Sequence, residues 1–208
     1  MIEGVGYFPE FLCGERQRIL VAAIASVLQV APFFTPVMPR SGKSFSVRMT
    51  NTGPLGWVSD RDGGYRYQAC HPNTGRCWPP IPQPVLDIWF AVAEYPHPPE
   101  ACLVNYYRPG ARMGLHQDRD EDQDDRHHVH CTAISLGDTG CFRIATSRQG
   151  PSSSVKLHSG DVLVMAGPAR LSYHGIDRIL GGSSRLLTGP LFPDGGRINL
   201  TLRRVTRP

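Results

Sequence analysis

The C-terminal segment RINLTLRRV constrains the fold more than any other stretch, because as a strand it presents two faces that need different surroundings. Ile198, Leu200 and Leu202 alternate with Arg197, Asn199, Thr201 and Arg203, and successive side chains of a strand point to opposite faces. One face is therefore apolar and the other carries two guanidinium groups. Either Arg197 and Arg203 lie on a solvated face, or they lie inside. Inside, an unpaired arginine is costly, and a carboxylate is the partner whose shape matches its fork. A β-sandwich accepts such a strand only with something anionic in its interior.

A second segment favours the inward reading. In NYYRPGARMGLHQDRDE, His116 and Asp118 stand two residues apart. On extended backbone that spacing puts both on one face, about 6.6 Å apart along the chain, so an imidazole and a carboxylate can converge on one ion. His174, in RLSYHGI near the other end, is the best candidate for a third ligand. Two histidines and one carboxylate leave three positions open on Fe(II) for oxygen and a co-substrate. On the pair alone, a structural role or a zinc site stands beside this reading.

The chain's 208 residues, 40% of them hydrophobic and with no long apolar run, suit one domain with a complete core. The start, MIEGVGYFPEFLCG, lacks a basic segment followed by an apolar one, so the expectation is a cytoplasmic protein with no membrane span. Cys13, Cys70, Cys77, Cys102, Cys131 and Cys141 form no CxxC pair and lack the dense spacing of a secreted disulfide scaffold, so reduced thiols are expected. The net charge of +4 is mildly favourable for a polyanionic partner. All but Lys43 and Lys156 of the 22 basic residues are arginine. Arg40, Lys43, Arg48, Arg61 and Arg66 surround Trp57 and Tyr65; such interleaving suits a single strand or an unpaired base, with charge for the phosphates and stacking for the base.

Periodicity divides the chain further. Leu20, Ala23, Ile24, Val27, Leu28 and Ala31 repeat at helical spacing over residues 14–31, and Val85, Ile88, Trp89 and Val92 do so over 84–93 behind Pro82 and Pro84. Residues 34–44 read as a linker, 45–50 and 55–67 as extended with a Gly63-Gly64 turn, and PNTGRCWPPIPQP as a turn-rich connection. Beyond Glu100, strands are expected at 102–107, 113–116, 131–136, 141–145, 155–157, 162–165, 171–174 and 198–205. That is enough for a double-sheet jelly roll. The fold class is mainly β (α+β). A helical extension spans 1–44, a lid 45–83, and a helix with the jelly-roll core 84–208.

Residues 45–204 resemble the AlkB group of Fe(II)- and 2-oxoglutarate-dependent dioxygenases, which oxidatively remove alkyl groups from nucleobases. The resemblance is carried by FSVRMTNTGPLGW, ACLVNYYRPGARMGLHQDRDE, HSGDVLVM followed by RLSYHGI, and RINLTLRR, in the family's order. It implies a double-stranded β-helix core with a nucleotide-recognition lid. It implies that His116, Asp118 and His174 hold Fe(II), that Arg197 grips one carboxylate of 2-oxoglutarate, and that Asn105, Tyr107, Asn199 and Arg203 surround that co-substrate, with O2 as oxidant. Trp57 and Tyr65 match positions that enclose the damaged nucleotide, Met49 lines the pocket, and Asp120 lies near the exocyclic nitrogen of the base. Trp57 and His116 would sandwich that base. Tyr67 is a further candidate because GGYRY is one residue longer than the family pattern, and Arg148, in FRIATSRQG on the substrate side of the barrel, either reaches a phosphate or is a surface arginine.

The implied reaction removes a methyl group from 1-methyladenine or 3-methylcytosine, releasing formaldehyde, succinate and CO2. Single-stranded DNA is the expected partner, with RNA beside it because nothing in the sequence reads a 2′-hydroxyl; a monomer suffices. A dioxygenase of the same chemistry acting on tRNA, other RNA, protein or a small molecule is the alternative, and a non-catalytic nucleic-acid-binding protein the third class. The run DRDEDQDDRHHVHC departs from the family by its length and its added acidic residues and histidines. A solvated loop is the reading favoured there over a second, zinc-like site at His127, His128, His130 and Cys131.

Overall fold

The computed structural model describes residues 3–119 and 130–206. Twelve strands and two α-helices run in the order β1 (Val5–Phe8), α1 (Gly14–Val30), β2 (Arg48–Thr52), β3 (Gly56–Asp60), β4 (Gly64–Gln68), α2 (Gln83–Val92), β5 (Ala101–Tyr107), β6 (Met113–His116), β7 (Cys131–Gly137), β8 (Thr139–Ala145), β9 (Ser152–Leu157), β10 (Val162–Met165), β11 (Tyr173–Leu180) and β12 (Arg197–Arg203). A six-stranded sheet, β1-β10-β7-β12-β5-β2, faces a four-stranded one, β6-β11-β8-β9, and β3 and β4 form a separate hairpin. All the strand pairings are antiparallel, which gives the expected jelly roll.

Strand alternation divides the interior into two cores. Cys102, Val104, Tyr106, Ile134, Leu136, Ile198, Leu200 and Leu202 point to the outer face of the six-stranded sheet. There they meet Leu20 and Ile24 of α1 and Val85, Ile88, Trp89 and Val92 of α2, the apolar stripes that helical spacing predicts. Trp89 is fully buried and donates its indole N–H to the His97 carbonyl at 3.1 Å, which makes it a packing residue. The other parity of the same strands, with Met49, Leu103 and Tyr107, turns inward toward Phe142, Ile144, Leu157 and Ile176 of the smaller sheet.

Three local expectations are corrected. Residues 1–44 are not helical throughout: β1 pairs with β10, and Phe34 and Val37 bridge to Met49 and Ser44 where a linker was expected. The strand expected at 171–174 runs instead from Tyr173 to Leu180. Gly175 sits where a Cβ would come within 2.5 Å of the Met113 carbonyl oxygen. It permits close strand contact and does not end the strand. The helix and the remaining strands of the core differ from expectation only at their ends.

Glu100 ties the chain beyond β12 to the head of β5. Its carboxylate accepts hydrogen bonds from the backbone N–H of Val205 at 2.9 Å and of Thr206 at 2.7 Å, and from the Thr206 hydroxyl at 2.7 Å. Burial raises its pKa, but these donors and Arg204 together lower it by more, so the net direction is down. A carboxyl depressed in the folded state stabilises the fold above its unfolded pKa and loses that contribution as pH falls through the folded value. Glu100→Gln should therefore cost about 1 kcal/mol at neutral pH, or about 2–4 °C in Tm. Thermal melts between about pH 6 and about pH 3 should bring the two proteins together; a gap independent of pH would contradict this account.

Candidate active site

The site begins with a register. His116 closes β6 and His174 stands directly across from it on β11, so the two imidazoles share a face with ring centroids 4.5 Å apart. Asp118 follows two residues after His116 and brings its carboxylate between them. Its Oδ1 lies 3.7 Å from Nε2 of His116 and its Oδ2 3.6 Å from Nε2 of His174. One potential ligand atom from each of the three residues lies within 4.8 Å of the others, and no other such group occurs among the described residues.

Both rings are oriented from behind. Nδ1 of His116 meets the Gly114 carbonyl at 2.9 Å and Nδ1 of His174 meets the Ser172 carbonyl at 3.0 Å. A carbonyl only accepts, so each Nδ1 carries the proton and each Nε2 presents a lone pair toward Asp118. Burial is the main reason that the His174 pKa is lowered to about 4, although Asp118 pulls the other way. The imidazole is thus neutral near pH 7, as a metal ligand must be.

Asp118 itself is buried yet ionised. Burial pushes its pKa up, but Arg203 first, then His174, His116 and Arg170, pull it well below the ordinary carboxylate range. Arg203 Nη2 donates to Asp118 Oδ2 at 2.5 Å, and Arg170 Nη1 donates to the Asp118 backbone carbonyl at 3.1 Å. Gln117 donates to the Leu171 carbonyl at 2.5 Å, tying the segment after β6 to the approach to β11. Arg170 and Gln117 lie within the RLSYHGI and GLHQDRDE runs, but nothing local in the sequence distinguishes either as a site residue.

The inward face of β12 continues the site. Asn199 stands opposite Asn105 of β5 and Ser135 of β7, and Arg197 opposite Tyr107. Asn105 and Asn199 both donate to the Thr201 hydroxyl, at 3.4 and 2.8 Å. Tyr107 is buried, and burial pushes its phenol pKa up; its hydroxyl faces Met113 Sδ at 3.8 Å. Arg197 is 0% exposed. It donates to the Leu157 carbonyl at 3.2 Å and the Ser135 hydroxyl at 2.8 Å, while its Nε has no hydrogen-bond partner. Among the described residues no carboxylate forms an ion pair with it, and burial lowers its pKa to about 10, with Tyr107 and Asp161 opposing. A buried guanidinium without a counter-ion fits a site built for a ligand carboxylate. Gly140 makes room for it, since a Cβ there would come within 2.9 Å of the Arg197 Nε.

The β3–β4 hairpin carries the expected base-binding residues. Trp57 is half-buried and stacks on Tyr65 with centroids 5.6 Å apart and an interplanar angle of 20°; Phe45 meets Trp57 edge-on. Tyr65 is 50% exposed. Tyr67 accepts a hydrogen bond from Arg203 Nη1 at 2.9 Å, which links the hairpin to the guanidinium that holds Asp118. Met49 is buried beside Asn105, its partner across β2 and β5, and Arg148 lies on an exposed bend beyond β8. Asp120, His127 and His128 lie outside the described residues. His130 and Cys131 are described and belong to no metal-binding group there.

Comparison with known proteins matches residues 4–203 to the 2OG-Fe(II) oxygenase superfamily. The chain is 51% identical over 206 residues to the alpha-ketoglutarate-dependent dioxygenase AlkB homolog of Caulobacter vibrioides (strain NA1000 / CB15N), covering 99% of this chain and 89% of the relative. It is 39% identical over 191 residues to alpha-ketoglutarate-dependent dioxygenase AlkB of Escherichia coli (strain K12), covering 89% and 83%. The solved structure of OsALKBH1 matches with a TM-score of 0.80 at 28% identity over 98% of both chains. Two buried arginines facing inward beside a His-Asp-His cluster suit that chemistry, and relatives this similar along nearly the whole chain make the assignment: this protein is an enzyme of the AlkB family of Fe(II)- and 2-oxoglutarate-dependent dioxygenases.

Proposed function

We propose that this enzyme oxidatively demethylates alkylated nucleobases of the 1-methyladenine and 3-methylcytosine type, in single-stranded DNA and also in RNA, as a cytoplasmic monomer. The observation that carries the reading is the joining of a stacked aromatic hairpin to a His-Asp-His cluster through Tyr67 and Arg203. No described helix is long and apolar enough to cross a membrane.

In this reading His116, Asp118 and His174 hold Fe(II), and Arg197 holds the distal carboxylate of 2-oxoglutarate. Asn105, Tyr107, Asn199 and Arg203 border the co-substrate. When bound, the metal and co-substrate supply an oxidation that turns 2-oxoglutarate and O2 into succinate and CO2 and hydroxylates the methyl carbon, which leaves the base as formaldehyde. The chain's own part is positioning. Arg203 keeps Asp118 ionised and aimed at the two Nε2 atoms, while the Gly114 and Ser172 carbonyls fix both imidazole tautomers. Trp57 and Tyr65 offer the flat surface on which an extruded base stacks, with Met49 lining the pocket and Arg148 near a phosphate, and the family resemblance assigns Asp120 to the exocyclic nitrogen of the base.

Two measurements follow. Gly140→Ala should press on Arg197 and raise the KM for 2-oxoglutarate about three- to tenfold, roughly 0.7–1.4 kcal/mol, with little change in kcat; an unchanged KM would remove Arg197 from co-substrate binding. Mass spectrometry should follow methyl loss from matched DNA and RNA oligonucleotides carrying 1-methyladenine or a neutral alkylated base, in the presence of Fe(II), 2-oxoglutarate and ascorbate. Demethylation should require both Fe(II) and 2-oxoglutarate, and Asp120→Ala should impair the cationic lesion more than the neutral one. Turnover of 2-oxoglutarate with no oligonucleotide change would sink the substrate assignment and leave the iron chemistry standing.

A further inference from the structure

Cys70 and Cys77 face each other across a tight loop at the foot of the β3–β4 hairpin. They form an antiparallel bridge, flanked by hydrogen bonds from His71 N–H to the Arg76 carbonyl (2.8 Å) and from Trp78 N–H to the Ala69 carbonyl (3.2 Å). Because the bonded pairs lie on either side, Cys70 and Cys77 occupy a non-hydrogen-bonded pair. There the Cα atoms approach to about 4.5 Å, within the span of about 4.4–6.8 Å that a disulfide bridges. Burial, and after it the facing Cys77 thiol, raise the pKa of Cys70. Both are free, Cys77 exposed and Cys70 partly so.

The loop between them is already set by its own chain. His71 Nδ1 accepts from the backbone N–H groups of Asn73 and Thr74, at 3.1 and 3.3 Å, and its Nε2 reaches the Pro32 carbonyl at 2.7 Å. Gly75 adopts a φ of +68°, which a glycine takes without strain. Little chain entropy then remains to be lost when the sulfurs join. The residue after Cys77 matters most to the hairpin: the Trp78 indole N–H donates to the Gln68 carbonyl at 2.8 Å, and its ring fills the space that a Cβ on Gly56 would enter. Gln68 in turn donates to the Cys70 carbonyl at 2.5 Å.

We propose that Cys70 and Cys77 are a reversible dithiol–disulfide site whose oxidation staples the foot of the hairpin bearing Trp57 and Tyr65. The oxidant is a low-molecular-weight disulfide. The exposed Cys77 thiolate attacks one of its sulfurs and expels one thiolate. Cys70 then attacks the Cys77 sulfur of the mixed disulfide and releases the second thiol. The protein thiols lose two protons and two electrons, and the external disulfide is reduced to two thiols. An exposed bridge of this kind belongs to the labile class that a reducing pool reopens. Cys13, exposed, and Cys141, partly exposed, serve as internal controls.

The test oxidises the full chain with oxidised glutathione, caps remaining thiols with N-ethylmaleimide in denaturant, and digests with trypsin, which cuts after Arg76 between the two cysteines. Mass spectrometry should find the peptides on either side of that cut joined until reductant is added, while Cys13 and Cys141 carry glutathione or maleimide. Amide hydrogen exchange over residues 69–78 should slow severalfold in the oxidised protein and not in Cys77→Ser treated alike. Glutathione or maleimide on both Cys70 and Cys77 would overturn the site. A bridge that forms without slowing exchange would overturn the staple.

Discussion

The structure depends on one buried carboxylate remaining ionised. Asp118 is taken out of water, and burial alone would favour its neutral form. Arg203 at 2.5 Å, with two imidazoles and Arg170 nearby, reverses that preference. Removing one partner from such a pair leaves an uncompensated charge behind, commonly at a cost of about 3–5 kcal/mol. Each supporting residue then has a plain reason to be where it is. Arg203 ends the inward face of β12, His116 ends β6, and His174 stands across from it on β11.

The six-stranded sheet makes this affordable by separating its two faces. Its outer face is ordinary core, with Trp89 and the two helix stripes packed on Ile198, Leu200 and Leu202. Its inner face carries the polar row Ser135, Asn199 and Asn105, with Arg197 at one end and Arg203 at the other. A strand period of two lets a single segment serve a dry core and a ligand-binding interior, where a shift of one residue would exchange them. The link from Arg203 to Tyr67 extends the inner face to the aromatic hairpin. The aromatic hairpin and the His-Asp-His cluster are thereby joined through one guanidinium.

Much of this was legible in the sequence, because alternation and ligand spacing are local. RINLTLRRV announced a two-faced strand, and the His116-Asp118 spacing announced two side chains on one side of an extended segment. The helix stripes around Leu20 and Ile88 were equally plain. What stayed hidden depends on contacts between distant residues. Arg170 is a solitary arginine until β11 brings it against the Asp118 carbonyl. Tyr67, weighed as a base-binding residue, turns out to hydrogen-bond Arg203, 136 positions away. The reason for a glycine at position 175, the Met113 carbonyl, lies on another strand. β1 is four residues long and owes its strand form to pairing with β10.

Whether His116, Asp118 and His174 hold the iron is decided by an anaerobic titration of the protein with Fe(II) and 2-oxoglutarate, following the visible charge-transfer band of an Fe(II)-chelated 2-oxo acid. The band should saturate at one iron per chain and be lost in Asp118→Ala and His174→Ala variants that keep the far-ultraviolet circular dichroism of the parent. An undiminished band in both folded variants would place the iron elsewhere and contradict that assignment.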